Sequence, residues 1–383
     1  LVNADGTAVA SAANEYVESA NSTASTTSGV AEFTGLKVIG VPSRSYRIKF
    51  TAGSFTAVQS NVISVTHAAA DHLDVATAPQ AGMKSGLLLS RAPIIAIHDR
   101  FNNVVTSDST SKISAVLSGG ANGVLTGTTP LTVTAGVATF TDLKLSNVTG
   151  TYNLAYTATD NGFTSLSTSQ TILLAAGTAV KLGVFTQPSS GGPTGSAFAT
   201  QPAIEVLDAF DNRVLTDTGR TITASYAGAN GGTLSGSPNP TATTSNGLAT
   251  FSGLKFVGTP GTNYSLHFAV AGDTLTATDS NTFSVTFAAA SQIVILQQPI
   301  GGNAVRSPLT VQPLVEIQDQ YGNPITSGAD STRVVTIAIA SANGGNAGSL
   351  ALGSITATAV NGRATFSNVI LSSATINNNY NFN

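Results

Sequence analysis

One string of residues occurs four times along the chain, and it limits the fold more than any other feature. Gly29-Val-Ala-Glu-Phe33-Thr-Gly-Leu36 reappears as Gly136-Val-Ala-Thr-Phe140-Thr-Asp-Leu143 and as Gly247-Leu-Ala-Thr-Phe251-Ser-Gly-Leu254. Its fourth copy is Gly362-Arg-Ala-Thr-Phe366-Ser-Asn-Val369. The phenylalanines Phe33, Phe140, Phe251 and Phe366 lie 107, 111 and 115 residues apart. Self-similarity at such a period means one folding unit used repeatedly. Three more markers keep the same order. A tyrosine opens a strand at Tyr46, Tyr152, Tyr264 and Tyr380. An Asp-x-aromatic-x-Asn turn occurs at Asp99-Phe101-Asn103, Asp208-Phe210-Asn212 and Asp319-Tyr321-Asn323. An apolar alternation ending in proline runs over Leu73–Pro79, Leu182–Pro188 and Ile293–Pro299.

Inside a repeat the apolar residues alternate with period two. Val180, Leu182 and Val184 do so, as do Ile204 and Val206, Tyr264, Leu266 and Phe268, and Phe283, Val285 and Phe287. That period puts apolar side chains on one face of a sheet and polar ones on the other. Clusters of Gly, Asn, Asp, Pro and Ser separate the runs, as turns require. About seven short strands in ~110 residues, with no helical period, predict an all-β fold of tandem two-sheet β-sandwich domains. Residues 11–20 could be drawn as a short helix; strand and loop suit the repeat pattern better. The repeats divide as 1–66, 67–176, 177–287 and 288–383. The first is expected to lack its early strands and the last its late ones. Neither leaves a surplus strand to donate between molecules, so the chain reads as a window on a longer periodic one. The linkers His67-Ala-Ala-Ala, Ala175-Ala-Gly and Ala288-Ala-Ala are short. Short linkers limit bending and predict an elongated, stiff rod.

Only 9% of the residues are charged, against ~25% in an ordinary soluble domain. Ser, Thr, Asn, Gln and Gly must cover the surface, a composition common in secreted microbial repeat proteins. The net charge is −3 with no basic block. That argues against nucleic acid, whose affinity rests on Lys and Arg neutralising phosphates, and against direct membrane insertion or an anionic membrane surface. There is no cysteine, which excludes disulfides, thiolate metal sites and cysteine nucleophiles. No apolar run approaches the ~18–20 residues of a membrane helix.

Reactive constellations are missing from the sequence: no HExxH, GxSxG, GxGxxG or phosphate loop occurs. The expectation is therefore not an enzyme and no cofactor. His67, His72, His98 and His267 do not recur from repeat to repeat and read as half-exposed polar residues. The best site candidates are the turns carrying Asp99, Asn103, Asp208, Asn212, Asp319 and Asn323. Their side-chain oxygens could hold Ca²⁺ near a domain junction, although calcium takes six to eight oxygens and each turn offers only two or three side chains. The competing reading is turn chemistry, in which Asp and Asn bond their own backbone. Lys37, Lys144 and Lys255 recur after the Phe string and should point outward, where a lysine protects a strand edge. The recurrent phenylalanines should pack the core, and the tyrosine hydroxyls should bond to backbone near a sheet corner.

The motifs Asp208-Ala-Phe-Asp-Asn212, Gly247-Leu-Ala-Thr-Phe251 and Tyr264-Ser-Leu-His-Phe268 together resemble bacterial immunoglobulin-like repeats of the invasin/intimin-like type, along essentially the whole chain. The resemblance implies an extracellular or cell-surface protein: a stalk, or the body of a filament, sheath or surface layer, with an adhesive role. The partners it implies are further repeats of the same chain, self-association, and surface glycans or proteins. The alternative is a glycan-binding module array attached to a secreted enzyme, which predicts exposed aromatics on one face. The chain has no tryptophan, and only 6% of its residues are aromatic.

Overall fold

A computed structural model describes the chain except residues 10–14, 20–21, 81, 119–121, 160–165, 237–239, 302–305, 343–348, 351–354, 374–379 and 383. Among the described residues there is no α-helix, only strands and one 3₁₀ turn at Ala329–Thr332. Contacts divide the chain into two units. The first takes residues 1–178 with 208–212, and the second takes 179–207 with 213–383.

In the first unit, strands Ala70–Thr77, Ile94–Asp99 and Val137–Thr139 form one antiparallel sheet, with Ile94–Asp99 in the centre. Opposite it lie Leu131–Thr132, Lys112–Ser118, Gly150–Thr159, Leu166–Ala175 and Met83–Lys84, in that order, the last joining in parallel. The period-two alternation explains the layers. Residues Tyr152, Leu154, Tyr156 and Ala158 of one strand turn inward and are buried, while Thr151 and Asn153, which alternate with them, stay exposed. They meet Leu73, Ile95, Ile97, Ile113, Phe140 and Leu145 in one core. Each of the large aliphatic and phenylalanine side chains stabilises the fold by about 1.5–3 kcal/mol on burial.

The second unit repeats the three-stranded sheet twice. Lys181–Thr186, Ala203–Leu207 and Leu248–Thr250 form one copy, and Ala290–Gln297, Leu314–Asp319 and Arg363–Thr365 form another. The core of residues 179–287 is rich in aromatics: Phe256 stands edge-on to Phe283 with centroids 5.2 Å apart, and Phe251 packs on Phe268 at 5.5 Å. The core of residues 309–369 is smaller and is built on Leu309, Val315, Ile317, Phe366 and Val369.

The recurring string has a local cause. Its glycine and the residue before it form a tight turn with both φ angles positive: 51° and 78° at Ser28-Gly29, 50° and 76° at Ala135-Gly136, 49° and 71° at Asn246-Gly247, 50° and 75° at Asn361-Gly362. Such a pair matches the twist of a hairpin. The strand that leaves it places Ala138, Ala249 and Ala364, then Phe140, Phe251 and Phe366, in the core.

The first copy of the string behaves differently. Ala31 is exposed, Phe33 is only half-buried, and Val30–Leu36 forms no strand. In the other copies this segment pairs with a strand such as Ile94–Asp99. Ahead of it the short strand Val2–Asn3 pairs with Ser45–Arg47 and not with this segment. Phe33 finds Phe50 as its ring partner, 5.3 Å away. Within 11–20, Tyr16–Glu18 is a strand; residues 11–14 and 20 lie outside the described residues.

Candidate functional site

The Asp-x-aromatic-x-Asn turn follows the central strand of each three-stranded sheet. The three aspartates are buried: Asp99 and Asp208 are 1% exposed and Asp319 is 0% exposed. A buried carboxylate is costly unless donors surround it, and here they do. One oxygen of Asp319, Oδ1, accepts the backbone N–H of Tyr321 at 2.9 Å and of Asn323 at 3.0 Å. The Asn323 side-chain amide donates to Oδ1 at 3.2 Å and to Oδ2 at 3.0 Å. The linker N–H of Ala288 reaches Oδ2 at 3.2 Å.

The other two turns are built alike. Asp208 Oδ1 accepts Phe210 N–H at 2.8 Å and Asn212 N–H at 3.0 Å, while Oδ2 accepts Gly177 N–H at 2.7 Å. Asp99 Oδ1 accepts Phe101 and Asn103 N–H, both at 2.9 Å, and Oδ2 accepts Ala68 N–H at 3.1 Å. Asn103 and Asn212 also turn their side-chain NH₂ into the carboxylate. The arrangement ties the linker ahead of a repeat to the turn inside it. All three closures span the same interval, 31 residues.

The electrostatics agree. Burial alone pushes the carboxyl of Asp319 up. The hydrogen bonds from Asn323, Tyr321 and Ala288 outweigh it and hold the group below the ordinary aspartate value. Asp99 and Asp208 shift the same way, against burial, through bonds from Asn103, Ala68 and Phe101 and from Asn212, Gly177 and Phe210. A carboxylate offers about four lone-pair sites, and protein donors already approach all of them. Asn103, Asn212 and Asn323 meet their aspartates with nitrogen, so each turn presents fewer free oxygens than its composition suggests. Among the described residues no group of three or more His, Asp or Glu could hold a metal ion.

The aromatic residue of the turn has its own partner, one that no sequence pattern signals. In the first unit the Phe210 ring lies over Gly86, where an added Cβ would stand 2.6 Å from the ring. In the second unit Tyr321 covers Gly195 so closely that any side chain there would collide with its hydroxyl. Both glycines have positive φ, 81° and 78°, so the site requires glycine twice over. Phe101 differs: the Arg100 guanidinium lies 4.5 Å from its ring centroid. The ring also borders a crevice of about 230 Å³ with Lys37, Ile39, Gly40 and His67.

The remaining candidates fall out as follows. Lys37, Lys144 and Lys255 are exposed, as the period predicts. The tyrosine hydroxyls do engage backbone: Tyr46 accepts Val41 N–H at 2.8 Å, Tyr264 accepts Thr259 N–H at 2.7 Å, and Tyr152 donates to the Val148 carbonyl at 2.5 Å. His67 bridges the Val104 carbonyl at 3.1 Å and the Thr106 hydroxyl at 3.0 Å. His98 departs from expectation. It is 8% exposed rather than half-exposed, and it lies 5.5 Å from the His72 ring. Its position opposite His72 across two paired strands explains the cover.

No family model and no curated protein matches the chain. Among solved structures it is similar to the Escherichia coli adhesin FdeC, with 17% identity over 80% of this chain and 98% of that one, at a TM-score of 0.35. It is similar to the protocadherin GammaB4 extracellular domain at 14% identity, covering 93% and 56% of the two chains, TM-score 0.37. Invasin, a bacterial integrin-binding protein, matches at 13% identity over 79% and 54%, TM-score 0.28. The fold assignment rests on the strand order itself: the chain is all-β and is built of repeated immunoglobulin-like sandwich sheets.

Proposed function

We propose that this chain is a non-enzymatic structural repeat region of an extracellular or cell-surface protein, serving as a stalk or as the body of a filament, sheath or surface layer, with an adhesive role. The observation that carries the reading is the buried carboxylate clamp. It occurs three times at an identical 31-residue interval and fastens a linker each time. A device repeated in this way serves the continuity of an array. A catalytic site would occur once, at one non-repeating cluster. The turns bearing Asp99, Asn103, Asp208, Asn212, Asp319 and Asn323 act in this proposal as joints rather than as calcium sites. Burial of Phe140, Phe251 and Phe366 leaves the recurrent aromatics unavailable for stacking on sugars, which favours the structural reading over the glycan-binding one. Among the described residues no helix is long and apolar enough to cross a membrane.

Immuno-electron microscopy tests the proposal. An antibody raised against the chain should decorate fibres, sheath or envelope outside the cells that make it. Label confined to the cell interior would overturn it.

A further inference from the structure

Two histidines of the first unit face each other on the outer side of a sheet, and neither takes part in a clamp. His72 and His98 are direct partners across the paired strands Ala70–Thr77 and Ile94–Asp99, with ring centroids 5.5 Å apart. Ile95 and Ile97 point into the core, so alternation turns Ala96 and His98 to the opposite face. His98 is nonetheless only 8% exposed. That depth belongs to the position. Leu207 precedes Asp208 as His98 precedes Asp99, and it is 7% exposed.

The hydrogen bonds around the two rings are incomplete. His72 Nδ1 lies 3.1 Å from Asp71 Oδ2. With Nδ1–H donating to that carboxylate, the lone pair of the neutral ring is left on Nε2. Facing Nε2 at 3.2 Å is Asn102 Oδ1, which is an acceptor as well. Two acceptors at this distance call for a cation to share. His98 Nδ1 is buried and has no hydrogen-bond partner, a rare state for a buried polar nitrogen. No protein donor competes for its electrons. The charges beside His72 are the carboxylates of Asp71 and, two residues along the same face, Asp74. The neighbouring Arg100 is turned over the Phe101 ring.

The spacings are those of a shared metal ion. Ligand atoms held about 2.0–2.2 Å from a tetrahedral zinc stand about 3.2–3.4 Å from each other, and two imidazoles on one such ion set their centroids about 5–5.5 Å apart. The distances here, 3.2 Å from His72 Nε2 to Asn102 Oδ1 and 5.5 Å between the rings, fall in those ranges. The other repeats fill the same cross-strand pair with Lys181 opposite Leu207 and with Gln292 opposite Gln318. Histidine stands on both strands in this repeat alone. We infer that His72 and His98 bind a borderline divalent metal ion such as Zn²⁺, with Asn102 Oδ1 as third ligand and water completing the shell. Asp71 orients His72 from behind, the carboxylate–histidine–metal arrangement that fixes a ligand ring. Imidazole suits zinc, copper and nickel, so the site differs in class from an all-oxygen calcium site. Its ion would fasten the first strand of the repeat to the central strand and to the turn that follows it. The inference does not depend on the structural reading above.

Isothermal titration calorimetry of the purified chain with ZnCl₂ tests it. One ion should bind at this site. His72→Gln and His98→Leu should each weaken binding at least about tenfold, and Asp71→Asn, which leaves both rings in place, about tenfold. The first two substitutions copy Gln292 and Leu207, which hold the same positions in other repeats, so circular dichroism should stay unchanged. His267→Gln is the control. That histidine has a carboxylate partner, Asp279 at 2.7 Å, but no second ring, and its loss should leave the affinity unaltered. Heteronuclear NMR of the wild-type chain gives a readout that needs no variant: Zn²⁺ should shift the side-chain nitrogens of His72 and His98 and leave those of His67 and His267 in place. Absence of binding, equal affinity in His72→Gln and His98→Leu, or shifts centred on His67 or His267 overturns the inference.

Discussion

Replacing Asp319 by alanine removes the acceptor at the centre of one clamp. Four donating groups lose a partner: the N–H groups of Tyr321, Asn323 and Ala288, and the side-chain amide of Asn323. The site is buried, with Asp319 at 0% exposure. A buried donor left unsatisfied costs about 1–3 kcal/mol. Water can enter the space left by the carboxylate and relieve some of this, so the expected loss is about 3–5 kcal/mol. Asp319→Asn keeps one acceptor oxygen and should cost about half as much, by the same per-bond reasoning. The assay is chemical denaturation followed by ring fluorescence, with hydrogen exchange at the three amides. The amides of Ala288, Tyr321 and Asn323 should exchange faster in the alanine variant, and amides of residues 94–99 should not change. A loss below about 1 kcal/mol, the worth of a single ordinary hydrogen bond, would refute the idea that the carboxylate is the hub of the turn.

Three further outcomes follow from the same geometry. Gly195→Ala should destabilise the second unit by about 2–4 kcal/mol, combining positive-φ strain with a steric collision; thermal unfolding checks this, and Tyr321→Ala in the same chain should recover the steric part. Ala135→Asn should stabilise the first unit by about 0.5–1 kcal/mol, because Ala135 holds a φ of 50° where two other repeats use asparagine; a shift in denaturation midpoint reports it. Acid should loosen the clamps in a defined direction. The hydrogen bonds hold the carboxyls of Asp99, Asp208 and Asp319 below the ordinary aspartate value despite burial, so their stabilisation is complete above that ordinary value and is lost as pH falls through the depressed folded-state values; an acid titration followed by circular dichroism should show no loss from this source between pH 5 and 7.

Much of the fold is legible in the residues because a repeat states its pattern several times. The alternation around Tyr152 and Phe251 predicts both the strands and the buried face, and the tyrosine hydroxyls go to backbone as a sheet corner demands. Composition is a poorer guide to the turns. Asp and Asn side by side suggest a set of oxygens, but the amide nitrogen of Asn323 faces the carboxylate, and only three-dimensional geometry reveals which end of an amide is used. Gly86 and Gly195 were hidden for another reason. They lie among other glycines in loops, and the ring that requires them belongs to a turn more than a hundred residues later. Phe33 shows the limit of reasoning by repetition: a closely similar motif gives a half-buried ring where its segment pairs with no central strand. His98 shows the reverse, a polar residue covered by a cross-strand neighbour that no periodicity specifies.

The identical closure at each clamp has a mechanical meaning. A pull on the chain arrives at the linker, at Ala68, Gly177 or Ala288, and passes through the carboxylate straight to a residue 31 positions further on. The residues between are bypassed, so the first strand of the repeat carries no load while the clamp holds. When it yields, a loop of that size can release about 100 Å of contour, at ~3.3–3.6 Å per extended residue. In the first unit that loop carries Leu73, Ile95 and Ile97 of the core, so the joint must break before tension can draw those residues out of the hydrophobic interior.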